Sequence, residues 1–205
     1  MFALVESGSI TKMLNGRRGI TIDGVQHPQQ IFTIWTESER NAIGIYTVEM
    51  DESKRKNDKW YINTNITYTF SGGKVTGSYG DATARKHADT KWTQQQIDDG
   101  EAPEGADTNT VAVEGLKTIL IRDVKTQAEG ELNKTDWYVV RKAEEDTAIP
   151  SAITTHRKSV RSKQAEMETA ITNASDTPAL ETLYTYTEQE DGTTTRPLGE
   201  IPNLD

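Results

Sequence analysis

Histidines, cysteines and paired carboxylates are the side chains through which most proteins bind metals or move protons. This chain has three histidines, no cysteine, and acids that come largely in runs. His27, His87 and His156 stand apart, and none has a second histidine or a carboxylate at a metal-ligand spacing such as the i, i+4 pair of a zinc helix. They read as surface or packing residues. The acids include Asp98-Asp99 and Glu144-Glu145-Asp146, whereas a glycosidase needs two carboxylates held apart in a cleft with one partly desolvated. Adjacent acids read as solvated faces instead. Gly72-Gly73 lacks the Lys-Ser/Thr of a phosphate loop and reads as a turn, and Ser7-Gly8-Ser9 lacks the flanks of a nucleophile elbow. The sequence thus assigns no catalytic residue, no cofactor-binding residue and no metal ligand, and points away from an enzyme.

What remains is recognition chemistry. Lys54-Arg55-Lys56 is flanked by Asp51, Glu52 and Asp58, which cancel it locally. A second basic set, His156, Arg157, Lys158, Arg161 and Lys163, falls on one predicted helix. It reads first as a solvated face, paired with Glu166 and Glu168 or with the acidic loop, and second as a docking face for an acidic partner. The tryptophans, Trp35, Trp60, Trp92 and Trp137, stand at or near element boundaries. Trp137 follows Thr135-Asp136, which look like cap residues for a short helical turn leading to Arg141. Its ring reads as an anchor of the connection between helices, or else as an aromatic anchor at a protein interface. If the ring is core, Trp137→Ala costs about 3 to 5 kcal/mol.

The elements that must position these residues divide the chain. The first third reads as β: Phe2-Ala3-Leu4-Val5, then Gly19-Ile20-Thr21-Ile22 turning at Asp23-Gly24. Thr36 and Glu39 have capping-box spacing for a two-turn helix that Gly44 ends, and Ile45-Tyr46-Thr47-Val48 resumes extended structure. Ile66, Tyr68 and Phe70 alternate before the Ser71-Gly72-Gly73-Lys74 turn, with Val75 and Tyr79 on the return strand. Gly77 there predicts a bulge or a close approach by an aromatic. From Asp81 the period changes. Ala82, Ala84, Arg85, Lys86 and Ala88 are helix formers, and Thr93 to Gln96 matches a capping box again. Asp98 to Gly105 reads as an acidic loop or linker.

The C-terminal half reads as helical. Leu116, Ile119, Leu120, Val124, Ala128 and Leu132 form one stripe over about 114–132. A longer helix opens at Pro150, where Ile153, Val160, Met167 and Ala174 recur every seven residues, while Arg157, Gln164 and Ile171 occupy the complementary positions. A stripe packed on a neighbouring helix is preferred over a self-assembled coiled coil. Thr177-Pro178 opens a final short helix through Leu180, Leu183 and Tyr184, and 186–205 reads as an extended tail. The reading is α+β: a β-rich part over 1–80 with hairpins and a small antiparallel sheet, a helix and acidic linker over 81–113, and a helical part over 114–185 containing an α-hairpin.

Composition limits the partners. Of 205 residues 34% are hydrophobic and 27% charged, a lean core for this length, so apolar surface buried against a partner is expected. A net charge of -9 argues against duplex DNA and anionic membrane, both of which call for excess Lys and Arg. The opening residues Met1-Phe2-Ala3-Leu4-Val5-Glu6 lack the basic and long apolar regions of a signal peptide, and no stretch nears the roughly 20 apolar residues that span a bilayer. Without a secretory context, the matches at Asn65-Ile66-Thr67 and Asn133-Lys134-Thr135 are not read as glycosylation sites. The expectation is a cytosolically made protein with no nucleic acid and no membrane insertion.

Two segments carry a family resemblance. Thr135-Asp136-Trp137-Tyr138-Val139-Val140-Arg141, then Ile149-Pro150 and Thr155-His156-Arg157-Lys158-Ser159-Val160-Arg161, resembles the C-terminal signature of phage tail fibre assembly proteins and related tail proteins. That signature runs T-D-W, an acidic or proline-containing loop, then Y-R-x-x-L-R on a helix; here His156 replaces the aromatic and Val160 the leucine. Trp35-Thr36-Glu37-Ser38-Glu39 with Ala42-Ile43-Gly44-Ile45-Tyr46-Thr47-Val48 is similar to the N-terminal W-s-x-x-E-x-x-A-x-G-I-Y-x-V element of the same group. Together they match roughly a third of the chain directly. The middle, from the hairpin to Gly105, departs from the short assembly proteins.

The resemblance implies a bacteriophage tail role without chemistry: a fibre, tip or baseplate-associated virion component, in contact with other tail or fibre proteins as a homo- or hetero-oligomer. It would be located in the tail, and in the host cytoplasm during assembly. The alternative is a transient fibre-assembly chaperone not retained in the virion, and a third reading is a receptor module binding glycans through Trp60, Tyr61, Tyr68 or Tyr79. Trp35, Tyr46, Trp137, Arg141, Arg157 and Arg161 are the candidate interface or structural residues.

Overall fold

The computed structural model describes residues 1–204, and the chain divides into two compact units at Thr83/Ala84. The first is β-rich. Strands β1 (Phe2–Glu6), β2 (Ser9–Leu14), β3 (Ile20–Ile22) and β4 (Val25–His27) precede helix α1 (Glu37–Ala42), and β5 (Ile45–Asp51), β6 (Tyr61–Ile62), β7 (Thr67–Ser71) and β8 (Lys74–Ser78) follow, with β9 (Thr83–Ala84) at the junction. Five strands make one sheet in the order β2-β1-β5-β8-β7, while β3 and β4 pair as a separate hairpin. Every contact in the five-stranded sheet is antiparallel except β5 with β8, which run parallel. The sequence predicts an antiparallel sheet throughout. The β7–β8 hairpin joins β5 through its second strand, and the intervening chain from 52 to 66 supplies the crossover a parallel pair needs.

β1 is covered on both faces, and its sequence says so. Leu4 points to a cluster with Ile22, Ile31, Phe32 and Ile45, while its neighbours Ala3 and Val5 point to another with Val75. Tyr46, Val48 and Phe70 cover that second cluster, and the Tyr46 and Phe70 ring centroids lie 4.8 Å apart. The outermost strands β2 and β7 approach each other, so the sheet curls and encloses this cluster. Each large apolar side chain so buried contributes about 1.5 to 3 kcal/mol. Gly77 meets the expected close approach: it lies opposite Tyr68, and a Cβ there would stand 2.7 Å from Met50 Sδ and 2.9 Å from Tyr68 Cε1.

α1 forms as its cap spacing predicts. The Glu39 N–H donates to Thr36 Oγ1 at 3.3 Å, and the Thr36 N–H donates to Glu39 Oε2 at 2.8 Å. Gly44, at φ 79°, ends the turn, and a Cβ there would meet the Val5 carbonyl at 2.6 Å. α1 thus delivers the chain into β5 beside β1.

The second unit holds β10 (Thr90–Lys91), α2 (Gln94–Asp98), β11 (Val111–Val113), α3 (Leu116–Asn133), α4 (Asp136–Glu145), α5 (Ser151–Asn173), α6 (Thr177–Tyr184), β12 (Thr187–Glu188) and β13 (Thr194–Thr195). The helix formers between Ala82 and Ala88 are not helical, and His87 lies in an irregular segment. Their carbonyls serve another purpose: the Leu116 N–H donates to Lys86 O at 3.0 Å and the Lys117 N–H to His87 O at 2.9 Å. The segment satisfies the orphan donors of α3's first turn, and tertiary bonding overrides local propensity. Asp89 completes the cap, accepting from the Gly115 N–H and the Thr118 hydroxyl, each at 2.7 Å.

α3 and α5 pack antiparallel as the α-hairpin: Lys117 Nζ reaches Thr172 O at one end and Arg157 reaches Leu132 O at the other. The seven-residue stripe is the seam, with Ile153, Val160, Met167, Ile171 and Ala174 buried, as are Leu116, Leu120, Val124 and Ala128 of α3. The seam closes within the chain, as a single packed stripe should. The tail is more structured than its composition predicts. β12 pairs with β13, Leu198 and Ile201 are buried, and the Leu198 N–H donates to Leu183 O at 3.0 Å. Arg196 lies over the Tyr184 ring at 5.0 Å, and burial pushes the Tyr184 hydroxyl up to about 12. Aromatic stacking and two apolar anchors hold a stretch that glycine and proline content alone marks as loose.

The Asp89 cap has a pH signature. Its bonds from Gly115 and Thr118 hold the carboxyl below the usual carboxylate range. A depressed folded value means the contribution is complete above the ordinary carboxylate pKa and disappears as pH falls through the folded value. Urea titrations at falling pH should show the wild type losing a share of stability that Asp89→Asn does not lose. Parallel acid limbs for the two proteins would refute the cap.

Candidate interaction site

Thr135, Asp136 and Arg157 meet where α3 ends, α4 begins and α5 completes its second turn. α3 leaves its last carbonyls without helical partners. The Arg157 guanidinium supplies one: Nη1 donates to Leu132 O at 2.7 Å and to Thr135 Oγ1 at 2.7 Å, and lies 2.8 Å from Asp136 Oδ1. The Thr135 hydroxyl also donates to Leu132 O, at 3.0 Å. Arg157 is 8% exposed and Thr135 fully buried. A cation at a helix C-terminus is favoured by the helix dipole as well as by these acceptors.

Two sequence readings change here. Thr135 does not cap α4 with its side chain; it packs against the end of α3 and receives Arg157. Nor is the basic set on α5 one solvated or docking face. Arg157 is consumed internally, and His156 is buried with Nε2 4.0 Å from Glu131 Oε2, neither atom having a hydrogen-bond partner. Lys134 hydrogen-bonds the Glu131 carboxyl and holds it below its ordinary range. Of the rest, Lys163 pairs with Glu166 at 3.5 Å, and Lys158 and Arg161 are exposed. Arg161 lines an open groove with Leu132, Gln164 and Glu168. The i, i+4 arithmetic placed these side chains on one helix but could not see which direction α3 lay.

Trp137 corrects a third reading. With Thr135 and Asp136 turned to Arg157, the next position swings about 100° around the helix, and the Trp137 ring is 51% exposed. It is not core. Trp137 and Tyr138 stack with centroids 3.9 Å apart, and the Arg141 guanidinium carbon lies 4.7 Å from the first ring centre and 5.7 Å from the second. Val139 and Val140 are exposed at 42% and 51%, and α4 buries none of its residues. The connection between helices is anchored by the polar pair that precedes the tryptophan.

The other predicted residues lie in the first unit and pack there. Trp35 is half-buried against the Leu4 cluster, edge-on to His27 at 5.8 Å, and its carbonyl accepts from Arg40. Tyr46 covers the Ala3–Val5 cluster beside Phe70. Of the aromatics considered for glycans, Trp60 and Tyr61 are buried, and Lys59 and Lys56 lie over their rings at 4.7 Å and 4.5 Å. Among the described residues no three His, Asp or Glu side chains group closely enough to hold a metal ion, and no helix is long and apolar enough to cross a membrane. No family model, curated protein or solved structure matches the chain.

The inward and outward residues should separate in a stability measurement. Arg157→Met leaves the Thr135 hydroxyl without its donor and Asp136 without its cation, and should cost about 2 to 3 kcal/mol in urea unfolding, the half-exposed Asp136 keeping the figure at the low end. Trp137→Ala should cost about 1 kcal/mol at most, the scale of an exposed stack. A loss at Trp137 as large as that at Arg157 would return the ring to the core.

Proposed function

We propose that the chain is a non-catalytic structural protein of a bacteriophage tail, in the fibre, the tip or the baseplate region, and that it acts by contacting other tail proteins. The observation that carries this reading is α4: a helix that begins at the resemblance motif, buries no residue and displays Trp137, Val140 and the stacked Arg141. Tryptophan and arginine are the residues most enriched at the energetic centres of protein interfaces. The motif itself divides in two. Thr135, Asp136 and Arg157 lock the helices, and Trp137, held by that lock, faces outward with Arg141 stacked on its ring. A net charge of -9 suits contact with proteins better than with nucleic acid.

The test is the composition of the particle. Mass spectrometry of purified virions of the phage that encodes the chain should find its peptides at a fixed ratio to other tail proteins. Their absence from finished particles would overturn the structural reading, and peptides in infected-cell lysates alone would replace it with an assembly chaperone.

A further inference from the structure

A ten-residue helix with adjacent valines is not stable in water by propensity alone; packing of one face supplies most helical stability. α4 packs none of its residues into the core. Its N-terminal end is held by Asp136 on Arg157, and its C-terminal end by the left-handed Asp146 at φ 55° with Lys142 paired to it. Between those fixed ends, Trp137, Val140, Arg141 and Glu144 follow at spacings of three and four and so share one face. Trp137 and Val140 are half exposed, Glu144 is exposed, and neither Arg141 nor Glu144 has an ion-pair partner among the described residues. The Arg141 Nε is buried without a hydrogen-bond partner.

We infer that this face pairs with the same face of a second copy of the chain, the two α4 helices lying antiparallel. The reason is self-complementarity. With the two-fold axis between Val140 and Arg141, Trp137 stands opposite Glu144 of the second copy, and Val140 opposite its Arg141. Arg141 does not extend straight across, because its guanidinium folds back over the Trp137 ring at 4.7 Å. That places the cation at the level of Trp137, and therefore facing the second copy's Glu144. The two-fold repeats the pair, so one sequence supplies two ion pairs, each backed by a Trp137 ring, on either side of a centre made by Val140 and the Arg141 stems. A parallel arrangement sets Arg141 against Arg141 and Glu144 against Glu144, so charge selects the antiparallel one.

The strength of the pairing is bounded by size. A helix of ten residues is about 15 Å long, and its single face falls short of the roughly 800 Å² per partner of a stable interface. The dimer is therefore weak in free solution and gains from the high local concentration inside an assembly. This inference rests on the reading of the chain as a protein-binding tail component and names one of its partners.

Sedimentation velocity on the full chain over a wide concentration series tests it. The wild type should self-associate as concentration rises. Arg141→Glu and Glu144→Arg should each weaken association about tenfold or more, since each places like charges across both junctions. An equimolar mixture of these two variants should associate again, because every junction then carries opposite charges; a merely structural effect of either substitution would not be rescued by mixing. Trp137→Ala should also weaken association, with the helical circular dichroism unchanged. A wild type that stays monomeric throughout, or a mixture that stays monomeric, overturns the inference. The particle composition is read separately: peptides missing from virions with self-association intact would remove the tail role and leave the pairing standing.

Discussion

Burying a guanidinium is costly unless its donors are met, and in the helical unit one buried guanidinium determines where three helices meet. Arg157 donates to the Leu132 carbonyl in the last turn of α3 and to the Thr135 hydroxyl, and it holds Asp136 at the start of α4. Several kcal/mol of desolvation must be offset by short contacts with good geometry, so the two hydrogen-bond acceptors and the Asp136 carboxylate cannot drift. That requirement sets the Thr135–Asp136 corner, and the corner sets the side to which α4 presents its tryptophan. An apolar residue at 157 could fill the space between α3 and α5 but could not specify the turn. The remaining seam, from Ile153 through Val160 and Met167 to Ala174, supplies stability without such direction.

The β-rich unit solves a different problem. A small sheet with one covered face gives few buried side chains, and a third of this chain's residues are apolar. Curling the sheet lets β1 bury Ala3, Leu4 and Val5 in succession, using both faces of a single strand. Gly77 is the local cost of that economy: the ladder position opposite Tyr68 has no room for a side chain, because Met50 Sδ already occupies it.

Elements governed by local chemistry were legible in the sequence. The Thr36–Glu39 and Thr93–Gln96 boxes both form, Gly44 ends its helix, and the α3 and α5 stripes become the packed seam. What depends on distant partners was not. The segment 82–88 has helical propensity but spends its carbonyls on α3, 30 residues along the chain for both the Lys86–Leu116 and the His87–Lys117 bonds. Nothing in the sequence ranks that bond above a local helix. The same gap explains the candidate residues. Arg157 and Arg161 stand one helical turn apart and look alike in the sequence, yet one is buried and bonded and the other lines an open groove. Thr135 reads as a cap by its type and place; only the end of α3, folded beside α5, makes it an acceptor. Trp137 reads first as the anchor of the helix connection because large aromatics usually are buried, and one step of helical rotation turns it outward instead.

That rotation also bears on how the exposed face would bind a partner. Immobilising a long, flexible side chain at an interface costs about 0.5 to 1.5 kcal/mol. In α4 part of that ordering is already done, because Arg141 is stacked across Trp137 and Tyr138 before any partner arrives. The same stack shields the cation from water, so an incoming carboxylate has less hydration to displace from it. The lock at Arg157 extends this preorganisation to the backbone, since α4 cannot swing without breaking the Asp136 contact. A small face can then be selective though weak: its side chains are held in place before contact, and only a partner with its acid at the level of Trp137 matches them. In the proposed antiparallel pair, α4's own Glu144 meets that condition, so the sequence that builds the face also supplies its complement.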